Sequence, residues 1–351
     1  MTPATAGKSV RRRIVERTIV LIVVGVSLYL LMPSLVATFS SWPALRGMDP
    51  LWLGLAVAFE AMSSISYWAL QRIAFRTRSW FAVATSQLAS GTAGRVVPGG
   101  GATASAVQFG ILVRSGVSSA TAATGVAASW AATTATALAL PVVALGAALG
   151  GTAVPRGLRN VAYLGGGAFL LLGAGAFAAF RWDQPLLWVG RAVRWAAGLV
   201  HRGDRLQDLP ERLLAQRDSL RHTFSEHPVL AALSAFGKWG FDYLALLCVM
   251  AALDIKPQPA LVLLAYSASA LLGMIPLTPG GLGFVEAGLT GLLVLTGISA
   301  GDAAAATLGY RLVSYWLPLP VGVVAWILAR RRYGAAGPVA VPSESITTSS
   351  S

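Results

Sequence analysis

Two copies of one pattern decide the fold of this sequence: residues 98–123, PGGGATASAVQFGILVRSGVSSATAA, and residues 279–304, PGGLGFVEAGLTGLLVLTGISAGDAA. A constant offset of 181 residues aligns them without a gap, and 11 of the 26 positions are identical. The abundance of Ala and Gly inflates such a count. Composition alone does not produce the shared Pro-Gly-Gly register or the match of Gly-Val-Ser to Gly-Ile-Ser, so the pattern indicates an internal repeat.

The composition around the repeat is that of a membrane protein. Of the 351 residues, 55% are hydrophobic and only 12% are charged, and the mean hydropathy is +0.66. Soluble domains carry about 25% charged residues. We therefore exclude soluble and disordered classes and predict an all-α polytopic membrane protein with six or more transmembrane helices. The predicted spans are 14–39, 51–70, 118–149, 161–180, 229–253 and 303–329.

Each Pro-Gly-Gly interrupts an apolar stretch whose arms are short. As helices, residues 101–113 and 282–296 would be about 20 and 22 Å long, less than the ~30 Å hydrocarbon core. We therefore predict re-entrant hairpins over 79–113 and 259–297, with two tilted full spans in each as the alternative. If every other span crosses, the two hairpins enter from opposite sides, so the repeats are inverted. Inverted repeats with broken helices recur in secondary transporters.

Basic residues define the orientation and the domain boundaries. The formal charge is +13, and the predicted inner segments hold twenty basic residues against four in the outer loops. The positive-inside rule then places both termini in the cytoplasm, and no soluble basic face is left for nucleic acid. The predicted domains are a basic N-terminus at 1–13, a first repeat at 14–149, a second repeat at 150–332 with an amphipathic cytoplasmic excursion at 181–227, and a disordered tail at 333–351.

Two acids inside apolar runs are the first candidates for a functional site. Glu60 lies 38 residues before Pro98, and Asp242 lies 37 residues before Pro279. A charge at membrane depth costs at least about 2.5 kcal/mol, so two acids in corresponding runs suggest a polar interior. We therefore predict that Glu60 and Asp242 occupy equivalent places in the two repeats.

A second pair of charges surrounds the second glycine turn. Glu286 follows that turn and Arg311 lies in the last span. We expect these two side chains in contact, and all four ionisable groups on one polar cavity. A structural ion pair, or a protonated acid bonded to backbone, is the alternative. The candidate translocation residues are Glu60, Asp242, Glu286, Arg311, Pro98, Gly99, Gly100, Pro279, Gly280, Gly281 and Gly283.

Other polar residues give no sign of catalysis or metal binding. His201, His222 and His227 fall in the excursion without Cys or acid at ligand spacing, so we expect them to be solvated. Cys248 is expected to be a packing residue, and Lys238 to reach the membrane interface. No catalytic motif is present in the sequence. We predict no enzymatic activity, no metal and no cofactor.

The second copy and its surroundings resemble a family signature. The residues are PLTPGGLGFVE at 276–286, Gly297-Ile298-Ser299, Arg311 and Pro318. They are similar to the lysylphosphatidylglycerol synthase transmembrane-domain family, also called flippase-like domain proteins, over roughly 14–332. The string RVVPGG at 95–100, with Gly116, resembles the less specific N-terminal motif of that family.

The resemblance implies a role in lipid transport. In the aminoacyl-phosphatidylglycerol branch, a soluble aminoacyl-transfer domain is fused to the membrane module, which is implied to move the modified lipid between leaflets. This chain stops after a short tail, so we expect a stand-alone member without aminoacyl transfer. Its expected location is the bacterial plasma membrane. Its expected partners are membrane lipids: an anionic or aminoacylated phospholipid, or a lipid-linked sugar.

We therefore expect a flippase-like protein that translocates or binds an amphiphile between the two hairpins. Helix ends at the glycine turns would offer N–H groups to a phosphate, and Arg311 would add a compensating charge. Glu60, Asp242 and Glu286 would contact a cationic head group or carry protons. Two other functions stay open: a proton-coupled transporter of a small solute, and a membrane subunit that assists a separate lipid-modifying or glycosyl-transferring enzyme.

The charge distribution gives a first testable prediction. Cysteines introduced near Ser9 and Ser343 should react with a membrane-impermeant maleimide only after cells are opened, because both termini are expected in the cytoplasm. Labelling of either position on intact cells would contradict this orientation.

Overall fold

The computed structural model describes residues 47–96, 100–149, 181–198, 209–274 and 279–334, together with single positions between 167 and 179. Within these residues all regular secondary structure is helical, which confirms the predicted all-α class. The helices are α1 (Pro50–Ala74), α2 (Trp80–Val96), α3 (Gly100–Arg114), α4 (Ser119–Leu149), α5 (Asp183–Gly198), α6 (Leu209–Phe224), α7 (Pro228–Ala252), α8 (Pro259–Leu272), α9 (Phe284–Leu295), α10 (Ala300–Arg311) and α11 (Pro318–Tyr333).

In the described parts of the chain, four helical segments are long and apolar enough to cross a membrane. They coincide with four of the six predicted spans and comprise Pro50–Ala74, Ser119–Ala144, Pro228–Ala252 and Ala300–Tyr333. The last one contains α10, a π-helical turn at Leu312–Trp316, and α11. Three predicted segments lie wholly or mostly outside the described residues: the span at 14–39, most of the span at 161–180, and the tail after Gly334.

The outer surface of these helices is apolar. Large hydrophobic side chains are exposed along α1, α7 and α11, whereas the interior holds many small residues together with serines and threonines. A soluble protein would bury such side chains, while a bilayer solvates them and leaves close packing of small residues to hold the helices together. Representative exposed residues are Leu51, Leu55, Ile65, Val229, Leu233, Phe236, Val321 and Val324.

The two halves contain the same order of elements. A long helix, two short arms and a long final segment occur as α1, α2, α3, α4 and again as α7, α8, α9 and α10–α11. Helices α1 and α7 each have 25 residues and each begin with proline. The residue two positions beyond each of them has a left-handed backbone, Arg76 with φ 48° and Asp254 with φ 54°. Equivalent helices therefore end in the same turn.

The structure also explains the matched Gly-Val-Ser and Gly-Ile-Ser strings. Gly116 and Gly297 have φ of 98° and 95°, and each follows the second arm of its hairpin. This conformation ends a helix, and glycine adopts it at low cost. Ser118 and Ser299 then begin the next helices, accepting the N–H three residues on at 3.1 and 3.2 Å. The shared tripeptide is a helix stop followed by a helix start.

Helices α1 and α7 cross each other in opposite directions. The Asp49 N–H, at the start of α1, donates to the carbonyl of Ala252, at the end of α7, at 3.1 Å. Near the middle of the crossing, the Ser63 hydroxyl donates to the carbonyl of Lys238 at 2.7 Å. A two-fold axis along the helices would leave equivalent helices parallel. Their antiparallel crossing instead requires an axis perpendicular to them, as expected for inverted repeats.

Each hairpin packs against the final segment of the other repeat. Arm α2 lies along α11, and arm α8 lies along α4. In the first of these contacts the Thr92 hydroxyl donates to the carbonyl of Leu319 at 3.3 Å. A Cβ atom at Gly322 would collide with the Thr92 hydroxyl, so the helices meet at a position where only glycine fits. Each hairpin is thus packed against the repeat to which it does not belong.

The hairpin arms are short. Arms α2, α3, α8 and α9 have 17, 15, 14 and 12 residues, which correspond to about 18 to 25 Å of helix. A hydrocarbon core is about 30 Å thick. These lengths favour re-entrant hairpins over pairs of full spans.

Three segments predicted to be cytoplasmic come together on one face. Arg332, at the end of α11, lies 4.7 Å from the ring centre of Phe81, at the start of α2. The loop before α2 joins the excursion, because the Arg76 guanidinium and the His222 ring nitrogen are 2.8 Å apart. His222 therefore has a protein partner, although the sequence predicted a solvated side chain.

A matched pair of glycines tests the packing of the hairpins between the repeats. Gly322→Ala should lower the melting temperature in detergent, because overpacking at a close helix contact costs about 1–3 kcal/mol. Gly291→Ala, at an exposed helical site with open space around it, should leave stability unchanged or raise it slightly. Equal melting temperatures for the two variants would show that α2 and α11 do not approach as described.

Candidate functional site

Ionisable side chains in the middle of the membrane-spanning helices and at the hairpin turns gather in one region. Among the described residues there are three acids and three bases of this kind, so their formal charges sum to zero. They come from α1, α2, α7, α9 and α10, and are Glu60, Arg95, Lys238, Asp242, Glu286 and Arg311.

Glu286 and Arg311 form the ion pair that the sequence predicts. The Arg311 Nε atom lies 2.8 Å from Glu286 Oε1, and the two side chains are only 11% and 13% exposed. Arg311 also donates to the Gly280 carbonyl at 3.2 Å and stacks over the Tyr315 ring at 4.3 Å. Glu286 stands in the first turn of α9, where a negative charge also complements the helix dipole.

The second glycine turn is built around Tyr315. Pro279 begins a single turn of 3-10 helix, and Gly280 within it has φ 61°. A Cβ atom at Gly280 would collide with the Tyr315 hydroxyl, so this contact requires glycine. Gly281 and Gly283 also have positive φ, 72° and 77°, and lead the chain into α9.

The first glycine turn is described only in part. Pro98 and Gly99 lie outside the described residues, and Gly100 begins α3. A Cβ atom at Gly100 would collide with the carbonyl of Gly94, because the two arms approach each other through their backbones. The close approach explains the glycines at positions 94 and 100.

Arg95 joins the first hairpin to the break in the last span. Its Nη1 and Nη2 atoms donate to the carbonyls of Tyr315 and Ser314 at 3.0 and 3.2 Å. Its guanidinium also lies 5.0 Å from the centre of the Tyr315 ring, so Tyr315 contacts both Arg95 and Arg311. The two carbonyls belong to the π-helical turn, a distortion that frequently marks functional sites.

Asp242 is buried among tyrosine hydroxyls. The Tyr310 hydroxyl lies 3.0 Å from both carboxylate oxygens, and the Tyr266 hydroxyl also donates to Oδ2. Lys238, one helical turn earlier, places its ammonium 3.8 Å from the same oxygen and 3.6 Å from the Trp239 ring centre. Three donors thus surround this carboxylate, which is only 6% exposed.

Glu60 faces Asp242 across the crossing of α1 and α7. Lys238 links the two acids, because it lines one cavity with Glu60 and places its ammonium 3.8 Å from Asp242 Oδ2. The cations that line this cavity with Glu60 are Lys238 and Arg95. The Oε2 atom of Glu60 is buried and accepts no hydrogen bond from any described residue. A buried oxygen of this kind calls for a proton, a water or a ligand.

The predicted equivalence of Glu60 and Asp242 is off by one helical turn. Glu60 comes ten residues after Pro50, and the residue ten after Pro228 is Lys238, four before Asp242. The distance to Pro-Gly-Gly was misleading, because the second copy has three more residues between its long helix and that motif. A shift of four residues keeps the side chain on the same helix face, so the two acids still meet.

A cavity of about 100 Å³ opens beside this cluster. Its polar lining has room for several water molecules. Of the four residues expected to share one cavity, only Glu60 lines it; Asp242, Glu286 and Arg311 lie outside it. The ionisable groups form two clusters joined through Arg95: Tyr310 contacts Asp242 in one, and Tyr315 contacts both Arg311 and Arg95 in the other. The lining is Glu60, Ser63, Ser64, Tyr67, Gln87, Leu88, Gly91, Thr92, Arg95, Lys238 and Pro318.

Sequence reasoning missed two cations of this site. Lys238 was expected at the interface but lines the cavity, and its spacing of four residues from Asp242 was the signal for an ion pair. Arg95 belongs to the first-half motif, yet no role was assigned to it. The participation of Tyr266 and Tyr310 had no local signal, because both are distant from Asp242 along the chain. Within the described residues, no group of His, Cys, Asp and Glu could hold a metal ion.

Comparison with known families identifies the family of this chain. The family model described as the lysylphosphatidylglycerol synthase TM region matches residues 18–322. The chain belongs to this family. A UPF0104 membrane protein of Methanothermobacter thermautotrophicus is 30% identical over 99 residues, which are 28% of each chain. One of Methanocaldococcus jannaschii is 34% identical over 104 residues, or 30% of this chain and 44% of the relative.

These relatives say little about activity. The matches span between 28% and 44% of the length of these two curated relatives, whose names describe only membrane proteins. Both organisms are archaea, so the bacterial membrane expected from the resemblance stays a prediction. The multi-pass membrane location itself follows from the family and the spanning helices.

The Glu286–Arg311 pair yields a stability prediction. Arg311→Met should lower the free energy of unfolding by about 3–5 kcal/mol, because it leaves Glu286 buried without its partner. The double variant Glu286→Gln, Arg311→Met should recover most of that loss. Arg331→Met, at an exposed site in α11, is the matched control. Thermal unfolding in detergent measures all three, and a double variant as unstable as Arg311→Met would contradict a coupled buried pair.

Proposed function

We propose that this protein moves an amphiphile with a charged head group across the membrane, the head group passing between the two hairpins while the acyl chains stay in lipid. The observation that carries the proposal is the gathering of six ionisable side chains where the hairpins of two inverted repeats meet. Charges at membrane depth are expensive and concentrate on substrate and ion paths. Family membership supports a lipid as the amphiphile.

The charges of the site suit a head group that carries a phosphate. Arg95 and Arg311 both contact Tyr315, so two guanidinium groups lie beside one glycine turn. Guanidinium groups bind phosphate through paired hydrogen bonds. The acids Glu60, Asp242 and Glu286 would receive an amine if the head group carries one. An anionic or aminoacylated phospholipid and a lipid-linked sugar phosphate all meet this description.

The cavity is smaller than a lipid head group requires. Its volume of about 100 Å³ compares with roughly 300 Å³ or more for ordinary small-molecule sites. Passage therefore requires the hairpins to separate from the opposite repeat. The contacts that must open are those of Arg95 with the π-helical turn and of Thr92 with Leu319. In the proposed orientation, the face that carries Arg76, His222 and Arg332 is cytoplasmic.

A lipid-translocation assay tests the proposal. The purified protein is reconstituted into phosphatidylethanolamine–phosphatidylglycerol vesicles that contain fluorescent phosphatidylglycerol, and dithionite bleaches label in the outer leaflet. Wild type and Arg331→Met should expose label from the inner leaflet, whereas the Glu286→Gln, Arg311→Met variant should lose at least about 90% of the rate, as expected when more than 1.4 kcal/mol of transition-state stabilisation is removed.

The controls separate the competing functions. A stable double variant with the wild-type rate would refute a transport role for this pair. If dithionite bleaches only the outer leaflet, and the wild-type protein nevertheless exchanges a small charged solute, the results would favour a solute transporter. The small cavity would suit such a solute. If neither lipid nor solute is transported, and a partner enzyme binds the protein through residues 181–227, the results would favour the accessory-subunit function.

A further inference from the structure

We propose that Glu60 and Asp242 form a proton-binding pair that couples head-group movement to a proton gradient. The proposal rests on the proposed function, because it assigns the energy source of the same site. A proton would enter from water in the cavity, bind Glu60 and leave to water on the other side. No other bond is made or broken.

The geometry of the pair assigns the proton to Glu60. Two carboxylates in contact in an apolar interior repel each other, so such pairs hold one proton between them. Asp242 already receives hydrogen bonds from Tyr266 and Tyr310 and lies beside Lys238, so donors from other side chains surround its oxygens. Glu60 Oε2 receives none from the part of the chain that the structure describes. With a proton, Glu60 becomes a donor to Asp242, and the unpaired oxygen is explained.

The charged and titratable groups nearest to Glu60 fit this assignment. Helix α7 presents Asp242 and Lys238, and arm α2 presents Arg95. Tyr67 lines the cavity from α1 itself. Arm α8 and helix α10 contribute Tyr266 and Tyr310 on the far side of Asp242. Helix α4, which also packs on α1, has no ionisable side chain.

The charge balance links the proton to the head group. When Glu60 is protonated, Lys238 offsets Asp242 and Arg311 offsets Glu286, so Arg95 is left without a counter-charge. The six residues together then have a net charge of +1, which attracts an anionic head group. When Glu60 is ionised the six charges cancel, and the anion is released. By linkage, an anion that binds the protonated state must equally promote proton uptake.

The position of the pair suits alternating access. Glu60 and Lys238 are ten residues from the prolines that begin α1 and α7, and the antiparallel crossing brings these two regions together at Ser63 and the Lys238 carbonyl. The pair therefore lies close to the pseudo-two-fold axis. Sites at this midplane position are reached from either side as one repeat moves against the other.

Infrared spectroscopy of the protein in vesicles tests the pair without any lipid substrate. Wild type at neutral pH should show the carbonyl stretch of a protonated carboxyl group, and titration to alkaline pH should remove it. Glu60→Gln should abolish this band. Asp242→Asn should abolish it as well, although Glu60 is intact, because Glu60 then ionises beside Lys238 and Arg95. A purely structural Glu60 would not respond to that change.

An exposed acid supplies the control. Asp254→Asn, whose side chain is 92% exposed, should leave the band unchanged. Absence of the band in wild type, or its persistence in Glu60→Gln, overturns the proposal. If Glu60→Gln does not fold, the infrared spectrum of Asp242→Asn gives an independent test. A carbonyl band that persists in Asp242→Asn also overturns the shared-proton pair.

Leaflet distribution measures the coupling itself. In the vesicles with fluorescent phosphatidylglycerol, a gradient of one pH unit should enrich the label about tenfold in the leaflet on the alkaline side, since one proton per lipid is worth a factor of ten per unit. Glu60→Gln should give equal leaflets, and Asp254→Asn should follow wild type. Wild-type movement with equal leaflets refutes coupling and leaves the proposed function standing. No movement at all refutes the proposed function, and the infrared result then decides the proton pair alone.

Discussion

The bilayer offers no water to a buried charge, and this constraint explains the arrangement of the whole protein. Six ionisable side chains stand at membrane depth. Arg95, Asp242, Glu286 and Arg311 each find an opposite charge, a carbonyl or a hydroxyl supplied by another element, and Lys238 pairs with Asp242 on its own helix. Arg95 is held by the π-helical turn of the opposite repeat, and Arg311 by Glu286 and the glycine turn. These contacts tie each hairpin to elements beyond itself, so the polar site and the fold stabilise each other.

The backbone of the protein is more symmetric than its chemistry. Helices α1 and α7 match in length, in first residue and in final turn, and each hairpin packs on the last segment of the other repeat. The charges do not follow this symmetry, because Glu60 corresponds to Lys238 and only the second copy has an acid after its glycine turn. Inverted repeats allow two related conformations, and in our proposal the unequal charges determine which ligand and proton the site binds.

Local patterns predicted the fold well and the site only in part. The Pro-Gly-Gly register predicted the repeat, and the matched Gly-X-Ser strings turned out to be a helix stop and a helix start. Glu286 and Arg311 were predicted as a pair because each is an expensive charge with one obvious partner. The contacts of Arg95 with the π-helical turn depend on helix packing between residues about 220 positions apart, and spacing along a sequence does not report such contacts. Distance to Pro-Gly-Gly likewise misaligned Glu60 and Asp242.

Native mass spectrometry of the purified protein tests most directly the claim that the charged cluster holds a lipid head group. Wild type should retain a lipid of defined mass at collision energies that remove lipids from the outer surface, because buried charge-assisted hydrogen bonds hold it. The Glu286→Gln, Arg311→Met variant should lose that species and keep only weakly bound lipid. Identical lipid adducts on the two proteins would contradict the account.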